Sequence, residues 1–279
     1  MSLNRYMRFD DKMIARFEEI DAGYKQMYLD PENSKPMFLI ESPVSVPTWE
    51  ERLADPLVMM KAELDKLRAH FEIGDDQTPT IRVEFGTGQV AAAFGCEMFF
   101  PADNLPCAGS HILKNAADVY KMEIPSLDAG WFGKLKEWTG IFLENMPEDV
   151  KLQHPDIQSA FNTAHLVRGN DIFTDFYDDP EALDALLDKV TDYLIRLVPW
   201  LKSMISGDKE WFYDWGALWK GAARISNCSM HLISAQLYLD HVLERDMRLM
   251  KAIGGGRIHY CGTQGRVIDE FFKNPDISG

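Results

Sequence analysis

The residues best suited to chemistry in this chain are an imidazole and a thiol two positions apart, His259 and Cys261. Alternate residues of a β-strand point to the same side, so both side chains would face one point. Nitrogen and sulfur are zinc ligands, and a catalytic zinc site keeps one position open for substrate. Taken alone, however, the pair favours a structural role, in which a buried thiol lies beside a hydrogen-bonded histidine, because two ligands are not a metal site.

The same part of the chain contains a candidate third ligand for such a site and a residue that would leave room for a substrate or cofactor. Cys228 ends another predicted strand and is the candidate third metal ligand, although burial as a free thiol is the commoner role of such a cysteine. Gly262 directly follows Cys261 and would leave room for a cofactor or ligand to approach. It is therefore the candidate cofactor-binding residue.

Three more polar residues lie at or just beyond predicted strand ends and are candidate catalytic residues. Glu84 lies near the end of one strand, and His154 and Asp156 follow another. Parallel strands end at the same edge of a sheet, where α/β enzymes place their sites, so these side chains would share a pocket with Cys261. Each of them, taken singly, is more often a cap or surface residue than a catalytic one. Pro155 restricts the backbone of His154, whose side chain could therefore point outward.

Five β-strands must position these residues. Short apolar runs predict them at about 37–42, 80–86, 151–154, 222–228 and 257–261. Apolar residues at helical spacing lie between them, which predicts an α/β fold with parallel neighbouring strands in one sheet. A closed (β/α)₈ barrel needs eight strands, so we expect about three to be missing from this chain. Two further patterns predict helical structure: one over the first thirty residues, and the helical spacing of Trp211, Trp215 and Trp219, which indicates a core or an interface.

Composition excludes several functions for the chain. It has 29 Lys and Arg against 44 Asp and Glu, a net charge of −15, which argues against nucleic acid and anionic membranes as partners. No apolar run approaches the ~20 residues of a membrane span, and the first ten residues have no signal core, so a cytoplasmic location is expected. The four cysteines show no disulfide framework.

Two longer stretches resemble the uroporphyrinogen decarboxylase superfamily. One runs from Asp156 to Leu197 and contains LVRGNDIFTDFYDDPEALDALLDKVT; the other runs from Ile233 to Gly262 and ends in RIHYCG. The resemblance is diffuse over about residues 36–275. It implies a (β/α)₈ TIM-barrel fold that lacks its last strands in this chain. The corresponding organisation is one domain over residues 1–279, with an N-terminal helical extension at about 1–35.

The superfamily has two main chemistries, and the motifs separate them. Its decarboxylases carry an arginine-rich RQAGRY-type segment, whereas the corresponding residues 41–49 contain no arginine. Its corrinoid-dependent methyltransferases carry a His-x-Cys-Gly motif, which His259, Cys261 and Gly262 match. This resemblance implies zinc bound by His259 and Cys261, a thiol or pterin methyl acceptor, and methylcobalamin or another methylcorrinoid held on a corrinoid protein as the donor.

The resemblance leaves one ligand and several alternatives open. The family's third ligand is a cysteine of a later strand, which has no counterpart up to Gly279. Either the sequence is a truncated form of a longer chain, or Cys228 or a carboxylate replaces that ligand, or the metal site is absent. One alternative is a decarboxylase-like lyase, which needs clustered arginines around a wide cleft, and the sequence shows no such cluster. The other is a degenerate barrel without activity. A homodimer is also left open.

Overall fold

A computed structural model describes residues 3–41, 43–102, 104–262 and 265–279. α-Helices hold more residues of this part of the chain than strands do. They are α1 (Asp11–Leu29), α2 (Trp49–Ala54), α3 (Pro56–Ile73), α4 (Gln89–Ala93), α5 (Phe132–Asn145), α6 (Ala160–Arg168), α7 (Ile172–Asp178), α8 (Pro180–Ile205), α9 (Ala235–Leu237), α10 (Leu243–Ile253) and α11 (Gly265–Phe272). None of them combines the length and the apolar character needed to cross a membrane.

The strands are short and fall into four groups. They are β1 (Thr80–Ile81), β2 (Met98–Phe99), β3 (Cys107–Ala108), β4 (Lys151–Leu152), β5 (Ile157–Gln158), β6 (Trp211–Asp214), β7 (Ala217–Lys220), β8 (Ala223–Ser226) and β9 (Gly256–His259). β1 pairs with β4 in parallel, and β5, β8 and β9 form a separate parallel three-stranded sheet. The predicted parallel pairing is therefore confirmed for these strands, but the prediction that they share one sheet is wrong for the described residues. β2–β3 and β6–β7 are antiparallel.

The parallel strands follow one another in chain order, as in the wall of a barrel. The chain leaves β4 through Gln153, whose N–H donates to the Ile81 carbonyl at 2.8 Å, and four residues later it enters β5, which pairs with β8. Beyond β9, Ile277 forms a parallel bridge with Gly256. No pairing within the described residues joins β1 to β9, so these strands form a barrel-like series that does not close on itself.

The helix predictions are confirmed where a cap and an apolar stripe coincide. α8 begins with Pro180 after Asp179, whose side chain accepts a hydrogen bond from the Ala182 N–H, and its leucines at 183, 186, 187, 194, 197 and 201 are at most 3% exposed. Each such leucine contributes about 1.5–3 kcal/mol through burial. The helix predicted in the first thirty residues is α1, which buries Ile20 and Tyr24 against Leu218 of β7.

The predicted strand at 37–42 is wrong for residues 37–41; Ser42 lies outside the described residues. This segment is extended but pairs with no strand. Its Phe38 and Ile40 N–H groups donate to the carboxylates of Asp76 and Asp75, at 2.9 and 2.8 Å. Phe38 is 63% exposed, because side-chain carboxylates rather than a neighbouring strand satisfy the backbone.

The helical interpretation of the tryptophans is also wrong. Residues 211–220 form the β6–β7 hairpin, with positive φ at both Trp215 (50°) and Gly216 (73°), as a two-residue hairpin turn requires. A separation of four residues places side chains on one face of a strand as well as on one face of a helix. The tryptophan spacing therefore did not distinguish the two structures.

Candidate metal centre

Adjacent strands deliver the candidate metal ligands to one place. β8 and β9 are parallel, and their register pairs Ser226 with His259. The Asn227 N–H continues the pairing by donating to the His259 carbonyl at 2.7 Å. Cys228 then opens a 3₁₀ turn, Cys228–Leu232, while the other strand continues to Cys261. Both cysteines consequently emerge at the same end of the sheet.

The side chains of Cys228, His259 and Cys261 converge there. One ligand atom from each lies within 4.8 Å of the other two. The two sulfurs are 3.5 Å apart, and Cys261 Sγ lies 3.9 Å from His259 Nε2. Ligand atoms around one tetrahedral zinc ion are about 3.5–3.8 Å apart, so a small contraction would bring all three to one ion. Two thiolates and an imidazole are also a donor set that suits zinc.

The surroundings of the group control its protonation. Burial, and then the hydrogen bond from Cys261, raise the pKa of Cys228 to about 12, so Cys228 is a neutral thiol at neutral pH when no cation is bound. Burial lowers the pKa of His259, and the nearby Arg224 and Arg257 lower it further. A neutral imidazole is the form that binds a metal, and binding at Cys228 would release a proton.

Asp156 lies close to this group and is buried. Its carboxylate accepts hydrogen bonds from Ser226 Oγ and Gln158 Nε2, both at 3.1 Å, and pairs with Arg224 at 3.4 Å. Burial raises its pKa. Its negative charge also contributes to the raised pKa of Cys228. The structure therefore places Asp156 beside the candidate ligands, although each of its oxygens already has a partner.

Glu84 follows β1 in the chain and lies outside the strand itself. It accepts a hydrogen bond from the Gly86 N–H at 2.7 Å and pairs with Arg82 at 3.2 Å. Both Arg82 and Glu84 line an open cavity of about 900 Å³, together with Gln153 and Trp215. Glu84 thus lies on the wall of this cavity, which residues of α3 and of the segment at 39–49 also line.

The structure does not bring His154 to the group. Its ring is 3% exposed, lies 6.4 Å from the Phe212 ring centroid, and faces Lys202 of α8 across a small cavity. Successive strand residues point to opposite faces, and here Gln153 takes the interior side. Burial lowers the pKa of His154 to about 4, so it is neutral in the core. A place for His154 among the side chains at the mouth is therefore a prediction that the geometry does not support.

Glycine is favoured at position 262 for a structural reason that differs from the predicted one. Its φ is +95°, a conformation that favours glycine, and an added Cβ would lie 2.8 Å from the Cβ of His231. The space beside Gly262 is therefore filled by His231 and is not an open approach to the ligands.

A group of three buried or half-buried arginines was missed by sequence reasoning, which saw no arginine cluster. Asp214 of the hairpin pairs with Arg82, with Arg224 Nε at 2.9 Å and with Arg257 at 3.3 Å. Arg224 and Arg257 are register partners on β8 and β9. The sequence did contain a signal for this group. Arg224 and Arg257 lie two residues before Ser226 and His259, and strand alternation therefore places Arg257 on the same face as His259.

A buried hydrogen-bonded network supports Asn227, which connects β8 to the 3₁₀ turn Cys228–Leu232. Asp246, 2% exposed, accepts hydrogen bonds from the Tyr238 hydroxyl and from Asn227 Nδ2, the latter at 2.8 Å. Its other oxygen has no hydrogen-bond partner within the described residues. Burial raises the pKa of Asp246 to about 6, against the lowering effect of its two donors.

This raised pKa predicts a pH-dependent loss of stability. Between pH 4 and 6 the folded protein keeps a proton that unfolded Asp246, with its ordinary pKa of 3.8, has released, so stability falls as pH rises. The shift corresponds to about 3 kcal/mol. The Asp246→Asn variant is expected to lack this loss, so its stability relative to the unmodified protein rises from pH 4 to 6. Urea unfolding at several pH values measures the difference, and parallel stability curves would contradict it.

Comparisons with known proteins agree with the fold. The family model described as uroporphyrinogen decarboxylase (URO-D) matches residues 44–201. A solved structure of a methyltransferase from Methanosarcina mazei superposes with a TM-score of 0.66 at 16% identity, covering 90% of this chain and 72% of that chain. At this identity the likeness concerns the fold. No curated protein sequence matches the chain.

The family match and the metal centre lie in different parts of the chain. The matched region ends at residue 201, before Cys228, His259 and Cys261, so the model identifies the family without reference to these side chains. The sequence resemblance found in residues 156–197 lies within the matched region and is confirmed. Since the match covers more than half of its residues, the chain belongs to the uroporphyrinogen decarboxylase family.

Proposed function

We propose that this protein is a methyltransferase that transfers a methyl group from a methylcorrinoid, held on a partner corrinoid protein, to a zinc-activated thiol or pterin. The observation that carries the proposal is the convergence of two thiols and one imidazole, Cys228, Cys261 and His259, within 4.8 Å at the exit of adjacent parallel strands. The fold similarity to a methyltransferase from Methanosarcina mazei supports it.

The chain's own residues would perform distinct tasks in this reaction. Cys228, His259 and Cys261 would hold zinc through three ligands and leave a fourth position for the acceptor. When bound, the ion lowers the pKa of an acceptor thiol so that the thiolate exists at neutral pH. The new sulfur–carbon bond forms as the cobalt–carbon bond of the corrinoid breaks, and the bonding electron pair stays on cobalt. The thiol proton is released to solvent.

Asp156 and Glu84 remain in the proposal, with roles that follow from their contacts. Asp156 is proposed as a positioning residue, because it holds Ser226 and Arg224 next to the strand exit that carries Cys228. Glu84 is proposed to contact the acceptor from the wall of the large cavity. The reaction is proposed for the cytoplasm, a reducing compartment in which free thiols persist.

Activity with free methylcobalamin and 2-mercaptoethanol tests the proposal directly. The zinc-loaded protein is expected to consume methylcobalamin at least tenfold faster than the Cys261→Ala variant, with methyl thioether appearing in equal amount by mass spectrometry. Cys107→Ala, in the antiparallel β2–β3 pair, is the matched control and should retain the full rate. Equal rates for the unmodified protein and Cys261→Ala would overturn the proposal.

The arginine group is the feature that bears on one alternative, a decarboxylase-like lyase acting on an acidic substrate. Arg82, Arg224 and Arg257 are already paired with Asp214, and Arg82 and Arg224 also have Glu84 and Asp156 as acidic neighbours. Because these pairs neutralise the cations, little positive charge is left for a substrate carboxylate. Carbon dioxide release from a porphyrinogen carboxylate that is unchanged by Cys261→Ala would support the lyase instead.

A further inference from the structure

We infer that His231 is the fourth protein ligand of the metal centre, so that the site without acceptor is a closed Cys₂His₂ site. The inference rests on the proposed zinc site and adds a residue to it. It also identifies the group that an acceptor thiol must displace. Its support comes from the geometry of the turn that follows β8, from the hydrogen bond of His231, and from the contact with Gly262.

The local backbone places His231 on the same side as Cys228. The turn Cys228–Leu232 is a 3₁₀ helix, in which side chains three residues apart lie directly above one another. Cys228 and His231 have this spacing. The chain therefore presents a Cys-x-x-His pair from one strand exit opposite a His-x-Cys pair, His259 and Cys261, from the adjacent exit.

The ring of His231 is held in the tautomer that a ligand needs. Its Nδ1 lies 2.5 Å from the Cys228 carbonyl oxygen, which can only accept a hydrogen bond, so Nδ1 carries the proton. Nε2 is then left with its lone pair. Metal-binding histidines commonly donate their second ring nitrogen to a backbone carbonyl in this way.

The contact with Gly262 brings His231 against the other strand exit. A Cβ at Gly262 would lie 2.8 Å from the His231 Cβ and 3.3 Å from its Cγ, so the imidazole stem packs on the residue after Cys261. His231 lies outside the group of three residues whose ligand atoms are within 4.8 Å. His231 is nevertheless exposed, so its ring has room to turn toward the ligands.

A fourth protein ligand changes how the site works. Four protein ligands make a closed zinc site, whereas catalysis needs an exchangeable position. His231, the exposed histidine of the four ligands, is the one that can leave when an acceptor thiol binds. His259 belongs to β9 and is half-buried. The closed state would protect the metal until the acceptor arrives.

Cobalt(II) in place of zinc tests this inference by spectroscopy, independently of methyl transfer. We expect His231→Ala to lower Co²⁺ affinity at least tenfold without thiol and to change the visible absorption of the bound ion. The same variant is expected to bind 2-mercaptoethanol more tightly at the metal, because no ligand must be displaced. Circular dichroism and urea unfolding of each variant verify that it is folded.

His111→Ala is the matched control, since His111 is also exposed and its Nδ1 also bonds a backbone carbonyl, that of Leu166 at 2.7 Å. It should leave Co²⁺ affinity and spectrum unchanged. Unaltered affinity and spectrum in folded His231→Ala would overturn the inference while leaving the three-ligand centre intact. Failure of the unmodified protein to bind Co²⁺, or equal binding by Cys261→Ala, would instead overturn the proposed centre and this inference with it.

Discussion

Replacing Cys261 with alanine is expected to lower the zinc content of the protein from about one ion per chain to none. Cys261 Sγ lies 3.5 Å from Cys228 Sγ and 3.9 Å from His259 Nε2, and is the ligand that links the other two. Its loss leaves one thiol, Cys228, whose pKa burial still raises, so a proton competes with the metal at that sulfur. Elemental analysis by mass spectrometry after zinc loading and dialysis measures the change.

The control for this experiment is another cysteine outside the centre. Cys96→Ala removes a thiol that is buried among apolar residues, so it should keep the zinc stoichiometry of the unmodified protein. Loading at pH 5.5 and pH 8 adds a second check, because proton release on binding makes affinity rise with pH. Zinc retained at one ion per chain in Cys261→Ala would disprove the metal centre.

Replacing Asp214 with alanine is expected to destabilise the fold by about 3–5 kcal/mol, as the loss of one partner of a buried ion pair does. Asp214 is 1% exposed and pairs with Arg82, which directly follows β1, and with Arg224 of β8 and Arg257 of β9. Without the Asp214 carboxylate, the positive charges of the three guanidinium groups are no longer neutralised by a shared negative charge. Urea unfolding at pH 7 measures the change.

An exposed pair provides the contrast for Asp214. Glu270 pairs with Lys273 at 2.6 Å on the surface of α11, and Glu270→Ala should leave the urea midpoint almost unchanged, since solvent screens such pairs. A midpoint for Asp214→Ala that matches that of Glu270→Ala would show that the arginines do not depend on this carboxylate. Restored stability in Asp214→Glu would indicate that the charge rather than the shape is needed.

Local chemistry explains which elements could be predicted from the chain alone. α3 and α8 begin at an aspartate cap followed by proline, and their apolar stripes continue for several turns, so near neighbours in sequence specify both ends. The common face of His259 and Cys261 is likewise local, because strand alternation alone produces it. The family could also be recognised from residues 156–197, whose pattern survives without any contact information.

Tertiary structure decided the features that depend on long-range contacts. The 37–41 segment is apolar enough for a strand, but the carboxylates of Asp75 and Asp76 occupy its N–H groups. Similarly, the 211–220 hairpin could not be told from a helix by spacing. In both cases the pattern of side chains is compatible with two backbone arrangements. The groups that hydrogen-bond to the backbone of the segment decide which arrangement forms.

The candidate site divides in the same way. The His259–Cys261 pair was determined by sequence, whereas the proximity of Cys228 required the parallel register that pairs Ser226 with His259. The direction of His154 depended on which strand face meets α8. The β8–β9 register brings Arg224 and Arg257 together, and Asp214 of the hairpin joins both of them to Arg82. Periodicity therefore determines the face on which a side chain lies, but pairing register and the packing of layers determine which side chains meet.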